Sequence, residues 1–217
     1  MDINRLPRMT TADQTPQETP AGEPVLAVVP ATRHRFDDIR TVLAPTNPKA
    51  CWCLGYRPPT AEDRERFGPD PAEQMRALTT REPPPGLLAY VGDDVAGWVG
   101  VGPRSGFSRL QRSRTIPRVD AEALATSWSV VCFIVRPGFR RRGIARALLD
   151  AAVDHARDHG ARTIEAYPLD TGGARVSGTT AYPGTVAVFE DSGFVRVQET
   201  TSSYSGFTRW VVRRALD

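Results

Sequence analysis

The chain has 217 residues, 40 % of them hydrophobic and 24 % charged, an ordinary balance for a globular protein and enough length for one well-buried domain plus a tail. Its formal net charge of +3 is too mild for a phosphate-backbone binder, which needs a concentrated basic face, so no nucleic-acid partner is expected. No run is long and apolar enough to span a bilayer, and residues 1–8 lack the apolar core of a secretory signal, so the expectation is a cytoplasmic protein with no membrane partner.

Residues 1–24 are rich in Thr, Pro, Gln and Glu, which predicts a flexible tail ahead of one domain over residues 25–217. Residues 25–29 suit a first strand. Residues 33–43 place Phe36, Ile39, Val42 and Leu43 at helical spacing, and Pro45 and Pro48 stop that helix. The segment 49–57 packs Cys51, Trp52, Cys53, Leu54 and Tyr56 between polar stretches. Residues 60–67 and 71–79 read as two short helices, the second with Asp70 as N-cap and Pro71 at its first position. Residues 86–91 and 95–101 form a hairpin turning at Gly92-Asp93-Asp94. Residues 103–119 are basic and turn-rich and are predicted to be a loop.

Residues 126–135 read as a long strand, apolar on both faces from Val130, hence central and buried. A helix over residues 143–159 carries Ile144, Leu148, Ala152 and Ala156 on one stripe and stops at Gly160. A strand (162–167), a Gly/Thr-rich loop (170–183), a short helix (185–192) and two strands (193–198, 207–212) follow. The order predicts a mixed sheet with helices on both faces. The strands from Thr126 and Arg162 should be parallel neighbours joined by a right-handed crossover.

Between the long strand and the long helix lies Val135-Arg136-Pro137-Gly138-Phe139-Arg140-Arg141-Arg142-Gly143-Ile144-Ala145. A helix start leaves unpaired backbone N–H groups and a positive dipole end. Gly143 and Ala145 let an anion approach those groups, and three consecutive arginines add charge, so the junction suits a phosphorylated ligand. A dinucleotide fold would need G-x-G-x-x-G after an early strand, and this run has one glycine at its helix start and comes late. The three cysteines form no disulfide framework, and Cys51 and Cys53 lack a second pair at zinc spacing, so no metal is expected.

That run resembles the signature V-x-P-x-x-R/Q-x-x-G-x-G/A of the GNAT superfamily of acyl-coenzyme A-dependent N-acetyltransferases, matched by Val135, Pro137, Arg140, Gly143 and Ala145. Phe189-Glu190-Asp191-Ser192-Gly193-Phe194 is similar to the family's aromatic-E-x-x-G-F segment. The resemblance implies an α/β (α+β) fold with a mixed, mostly antiparallel central sheet, a splayed parallel strand pair and helices on both faces. It implies acetyl-CoA as cosubstrate, with backbone groups of Phe133, Ile134 and Val135 along the pantetheine arm. The N–H groups of Arg141, Arg142, Gly143, Ile144 and Ala145 would hold the diphosphate, with Arg140 in the R/Q place and Phe189 beside the thioester. The expected activity is N-acetylation of a primary amine on a small molecule by direct attack. A protein or peptide acceptor and a non-catalytic acyl-CoA-binding module are the alternatives. Homodimers are frequent in the superfamily, but no residue pattern here fixes an interface.

The family's usual general acid, a tyrosine in the second segment, is replaced here by Phe189. Tyr182, Tyr167 and Cys132 are the substitutes to consider. Glu165, a carboxylate inside a strand between Ile164 and Ala166, is a candidate base, as against a surface ion pair. Trp52, Tyr56, Arg104 and Asp170 are expected around the acceptor, with core packing or turn formation as their simpler readings. Cys51 and Cys53 are expected as small buried residues in preference to pocket-lining thiols, Cys132 and Trp98 as core, and His34, His155 and His159 as surface residues without a catalytic role.

Overall fold

Seven strands join in one sheet in the order β1-β2-β3-β4-β5-β7-β6 in the computed structural model, which describes residues 25–44, 46–47, 50–178 and 180–217. The tail predicted over residues 1–24, and Pro45 and Pro48, lie outside the described residues. The strands are β1 Leu26–Pro30, β2 Gly86–Val91, β3 Asp94–Pro103, β4 Ser127–Val135, β5 Thr163–Ala166, β6 Val195–Tyr204 and β7 Phe207–Ala215. Neighbours pair antiparallel except β4 and β5, which run parallel through the predicted helical crossover. The helices are α1 Phe36–Leu43, α2 Ala61–Phe67, α3 Pro71–Leu78, α4 Ser108–Gln111, α5 Ala121–Thr126, α6 Ile144–Asp158 and α7 Val186–Glu190. No helix among the described residues is long and apolar enough to cross a membrane.

Side-chain alternation along β2 separates the two faces. Leu87 and Ala89 pack with Leu148, Leu149 and Ala152 of α6, while Leu88 packs with Ile39 of α1, Met75 of α3 and Trp98. Both sides of the sheet are therefore covered, and β3 and most of β4 are buried throughout.

Two local features position the site. Val101 pairs with Val130 but Gly100 pairs with Cys132, so Val131 is an extra residue on β4, a bulge that re-aims the strand beyond it. The β4–β5 pairing covers only Ser127–Val130 against Thr163–Ala166, so the last five residues of β4 leave their former partner.

The predicted loop 103–119 contains a 3-10 turn at Arg104–Gly106 and α4. The helix α5 was not expected; the Asp120 side chain starts it by accepting from the Ala123 N–H at 2.8 Å. The strand β6 runs to Tyr204, well past its predicted end, because pairing with β7, irregular after Glu199, resumes at Ser203 and Tyr204 opposite Thr208 and Phe207.

Candidate active site

The first helical residue of α6 is Ile144, and its N-cap is Gly143 at φ 75°. That left-handed conformation favours glycine, and no side chain caps the helix. The first turn carries no acidic residue, so the positive end of a 15-residue helix is left open for an anion. Arg141 also adopts a positive φ, 61°, turning the chain tightly into the helix. A groove of about 800 Å³ begins here, lined by Arg140, Arg141, Gly143, Ile144 and Ala145, and runs along Phe133–Val135 towards Tyr182, Cys53 and Cys132. Arg142 is exposed beside the groove, with its guanidinium 5.8 Å from the Phe139 ring.

The expected backbone contacts of β4 need correction. The Phe133 N–H donates to the Tyr182 carbonyl at 2.7 Å, and Arg140 Nε donates to the Val135 carbonyl at 3.1 Å. A segment of the 170–183 loop thus holds one group that the resemblance assigns to pantetheine. In an antiparallel ladder the bonding side alternates, so Ile134, opposite Trp98, turns its backbone groups to β3 rather than to the groove. The Phe133 carbonyl and the Val135 N–H are the groups on the splayed side that remain for an extended ligand.

Phe189 also differs from expectation. It is fully buried, 5.9 Å from the Phe133 ring and 5.1 Å from the Phe194 ring, and supports the groove from behind without lining it.

Tyr182 lies at the groove's inner end. Its phenol oxygen accepts from Arg209 Nη2 at 2.6 Å, and Arg209 Nη1 donates to the Tyr56 phenol at 2.6 Å. Burial pushes the Tyr56 hydroxyl up to about 12, against the pull of Arg209, so it stays protonated at neutral pH. Arg209 went unnoticed in the sequence; a lone arginine in the apolar run of β7 was the available signal.

Glu165 does not reach the groove. It is 1 % exposed, as is Arg104, and the two form an ion pair while Arg213 holds the other carboxylate oxygen at 2.6 and 2.9 Å. Tyr167 donates to the same carboxylate at 3.2 Å. Both carboxylate oxygens are engaged by guanidinium groups, and the residue is not among those that line the groove. It is neither a base nor a surface ion pair but the centre of a buried cluster. Arg104 is likewise withdrawn from the acceptor: its other nitrogen donates to the Pro117 carbonyl at 2.7 Å, tying residues 104–117 to β5. Asp170 accepts from Gly172 N–H at 3.2 Å and pairs with Arg196, contacts that hold its carboxyl below the usual range and make it a turn residue. Tyr167 is buried among these groups, and burial drives its hydroxyl up.

The cysteines correct a third expectation. Cys51 is exposed and Cys53 half-buried, and both line the groove with Cys132. Trp52 and Cys53 sit at φ 50° and 57°, a strained pair that tucks Trp52 flat against Phe36, 5.9 Å between centroids, and points Cys53 at β3 and β4. A hydrogen bond with the Cys132 thiol lowers the Cys53 pKa against the effect of burial, and the same contact raises Cys132, removing it as a proton donor of ordinary strength. Arg57 anchors this segment through the Pro85 and Val101 carbonyls at 2.8 and 3.0 Å. Trp98 is core, as expected. His155 and His159 contact the Trp128 ring, edge-on and tilted respectively, near the far end of α6, and no metal-binding group is found among the described residues.

The fold matches solved acetyltransferases at low sequence identity. An N-acetyltransferase from Staphylococcus aureus Mu50 superposes with a TM-score of 0.55 at 14 % identity, over 89 % of this chain and 99 % of that one. A GCN5-related N-acetyltransferase from Kribbella flavida gives 0.54 at 21 % identity, over 88 % and 98 %. Ard1 from Thermoplasma volcanium gives 0.50 at 14 %, over 88 % and 97 %. A comparison with curated proteins finds no matching sequence. The profile of the acetyltransferase (GNAT) family matches residues 54–174, which is more than half of the chain and contains the β4–α6 junction. With that junction, the splayed parallel pair and this match together, the chain belongs to the GNAT family of acetyltransferases.

Proposed function

We propose that residues 25–217 form an acetyl-CoA-dependent N-acetyltransferase whose acceptor is a primary amine on a small molecule. The observation that carries this reading is the uncapped start of α6 opening into a groove that Tyr182 also lines. The residues present fit the cosubstrate: Gly143 gives open access to the α6 amides, since nothing lies within 4 Å of where a Cβ would stand, and Arg140 and Arg141 line the same end. Acetyl-CoA supplies an activated acyl group, and the protein's task is to orient it and to manage two protons.

Tyr182 manages the first. Its oxygen accepts from Arg209, which leaves its own hydrogen free to protonate the departing thiolate. The second proton leaves the amine. With Glu165 sealed in its cluster, the carboxylate that lines the groove is Asp191, and the proton is assigned to water. The fixed charge of Arg209 beside the site disfavours an ammonium there and so enriches the neutral, nucleophilic amine. A small acceptor is favoured over a peptide because a cavity of about 660 Å³, walled by residues 56–58, 109–116 and 202–209, adjoins the groove at Tyr204.

Coenzyme A release, followed with a thiol reagent over panels of small amines, N-terminal peptides and lysine peptides, tests the reading. Turnover with small amines and none with peptides is expected. Peptide turnover alone overturns the acceptor class, and acetyl-CoA binding without any turnover favours a regulatory module.

A further inference from the structure

Arg209 carries a charge that the protein does not balance. It is 7 % exposed, and among the described residues no carboxylate pairs with it. Its partners are the two phenols at 2.6 Å, with its guanidinium also 5.6 and 5.7 Å from the Tyr182 and Tyr204 rings. Neutral phenols satisfy N–H groups but supply no negative charge, and a guanidinium cannot shed its proton. Buried arginines are ordinarily paired, and the same molecule shows the ordinary case in Arg104, matched by Glu165.

The uncompensated charge faces a cavity. Arg209 lines the recess of about 660 Å³ together with Tyr56, Tyr204, Arg109 and Arg112, and no carboxylate lines it. Arg109 and Arg112 are exposed on α4 and just beyond it, and neither is in an ion pair among the described residues. Tyr204 lines both this recess and the groove, and Tyr182 of the groove is bonded to Arg209. The recess therefore meets the donor groove where the acyl group would lie.

We infer that this recess is the acceptor subsite and that the acceptor is an anionic amine, a small molecule whose carboxylate or phosphate lies against Arg209, Arg109 and Arg112 while its amine points past Tyr204 to the groove. The inference rests on the acetyl-transfer reading and narrows it. Arg209 has three N–H groups beyond the two given to the phenols, enough to receive one oxyanion.

The test uses matched amines that differ only in charge: amino acids against their amides, and phosphoethanolamine against ethanolamine. Coenzyme A release should favour the acidic members by roughly ten- to hundredfold in kcat/KM, the worth of a charge-assisted hydrogen bond. The carboxylate and phosphate arms identify which anion fits. R112Q, at an exposed position, should raise KM for acidic amines while leaving acetyl-CoA affinity by calorimetry unchanged; R209Q, which also releases Tyr182, should lower kcat for every amine and raise KM most for the acidic ones. Equal turnover of neutral and acidic amines, or equal loss of both in R112Q, overturns the anionic subsite and leaves acetyl transfer standing. Loss of acetyl-CoA binding in the wild-type chain sinks the broader reading instead. If no amine turns over, titration of the acidic amines into the protein holding coenzyme A decides: saturable binding that R112Q weakens supports the subsite, and no binding refutes it.

Discussion

The proposed donor and acceptor ends of the site are built by opposite means. The donor end is a single stretch of chain, residues 135–146, in which backbone amides and a left-handed glycine do the work. The acceptor end is assembled from side chains far apart in sequence, with Tyr56 and Arg209 separated by 153 positions and Tyr182 between them. A backbone cradle tolerates exchange of most side chains around it, whereas a side-chain cluster is only as good as the scaffold that aligns its members. The donor end should therefore fail through one or two glycine positions, and the acceptor end through residues that never touch substrate.

The scaffold is where the largest effect is expected. Glu165→Gln strips the charge from the centre of a buried cluster and leaves Arg104 unpaired, which should cost about 3–5 kcal/mol of stability in urea denaturation. A variant of unchanged stability with lost turnover would instead restore Glu165 as a catalytic base. Gly143→Glu attacks the other end. It forces a side chain into a left-handed N-cap, at about 1–2 kcal/mol, and sets a carboxylate where a diphosphate belongs, so acetyl-CoA should bind about a hundredfold or more weakly. Wild-type affinity by calorimetry would remove the donor site from α6.

Tyr182→Phe sharpens the contrast, because it deletes a proton without disturbing the main-chain bond from Phe133 to its carbonyl. A fall in kcat on the order of a hundredfold with little change in acetyl-CoA affinity is expected. Phe189→Tyr restores the family's usual residue on paper, yet Phe189 is sealed against Phe133 and Phe194, so the new hydroxyl should cost about 1–3 kcal/mol and bring no gain in turnover. A rise in kcat would show that the ring reaches the thioester.

The smallest effect lies away from both ends. His159 pairs with Glu82 at 3.0 Å; burial lowers its pKa, but Glu82 and the His155 carbonyl outweigh that and raise it overall. A raised folded-state pKa contributes stability in full below the unfolded value of about 6.5, and the contribution fades as pH rises through the higher folded value. His155, 4.3 Å away, is pushed down by burial and by His159, so it opposes the trend. Glu82→Gln should lower stability near pH 6 by under about 1 kcal/mol, less at pH 8, and leave both ends of the active site untouched.

The contrast also explains what could be read in advance. Gly143, Arg140 and the strand before them were legible because strand, turn and helix are adjacent in sequence and each follows local rules. The parallel β4–β5 pair followed from the helical crossover. Glu165 was misread because an acidic residue in an apolar strand looks the same whether it faces a substrate or two arginines from β7 and the 104–117 segment. For Cys53, packing was preferred to a pocket-lining thiol because its place in the groove depends on a strained turn at Trp52–Cys53, which no propensity forecasts. The strand ran on past the loop-like Thr200–Ser202 because β7 resumed the pairing at Ser203 and Tyr204.

The amino-acid sequence alone determined the fold class, the mixed sheet and the open helix start at Gly143, because periodicity, turn residues and helix capping act over a few neighbouring positions. Only the tertiary structure decided which polar residues face the reaction and which hold the frame. Arg104 and Arg209 are both buried arginines, and what separates them is whether a carboxylate from a distant strand arrives to pair with them. Charge compensation is a property of three-dimensional neighbours, and chain order does not encode it locally.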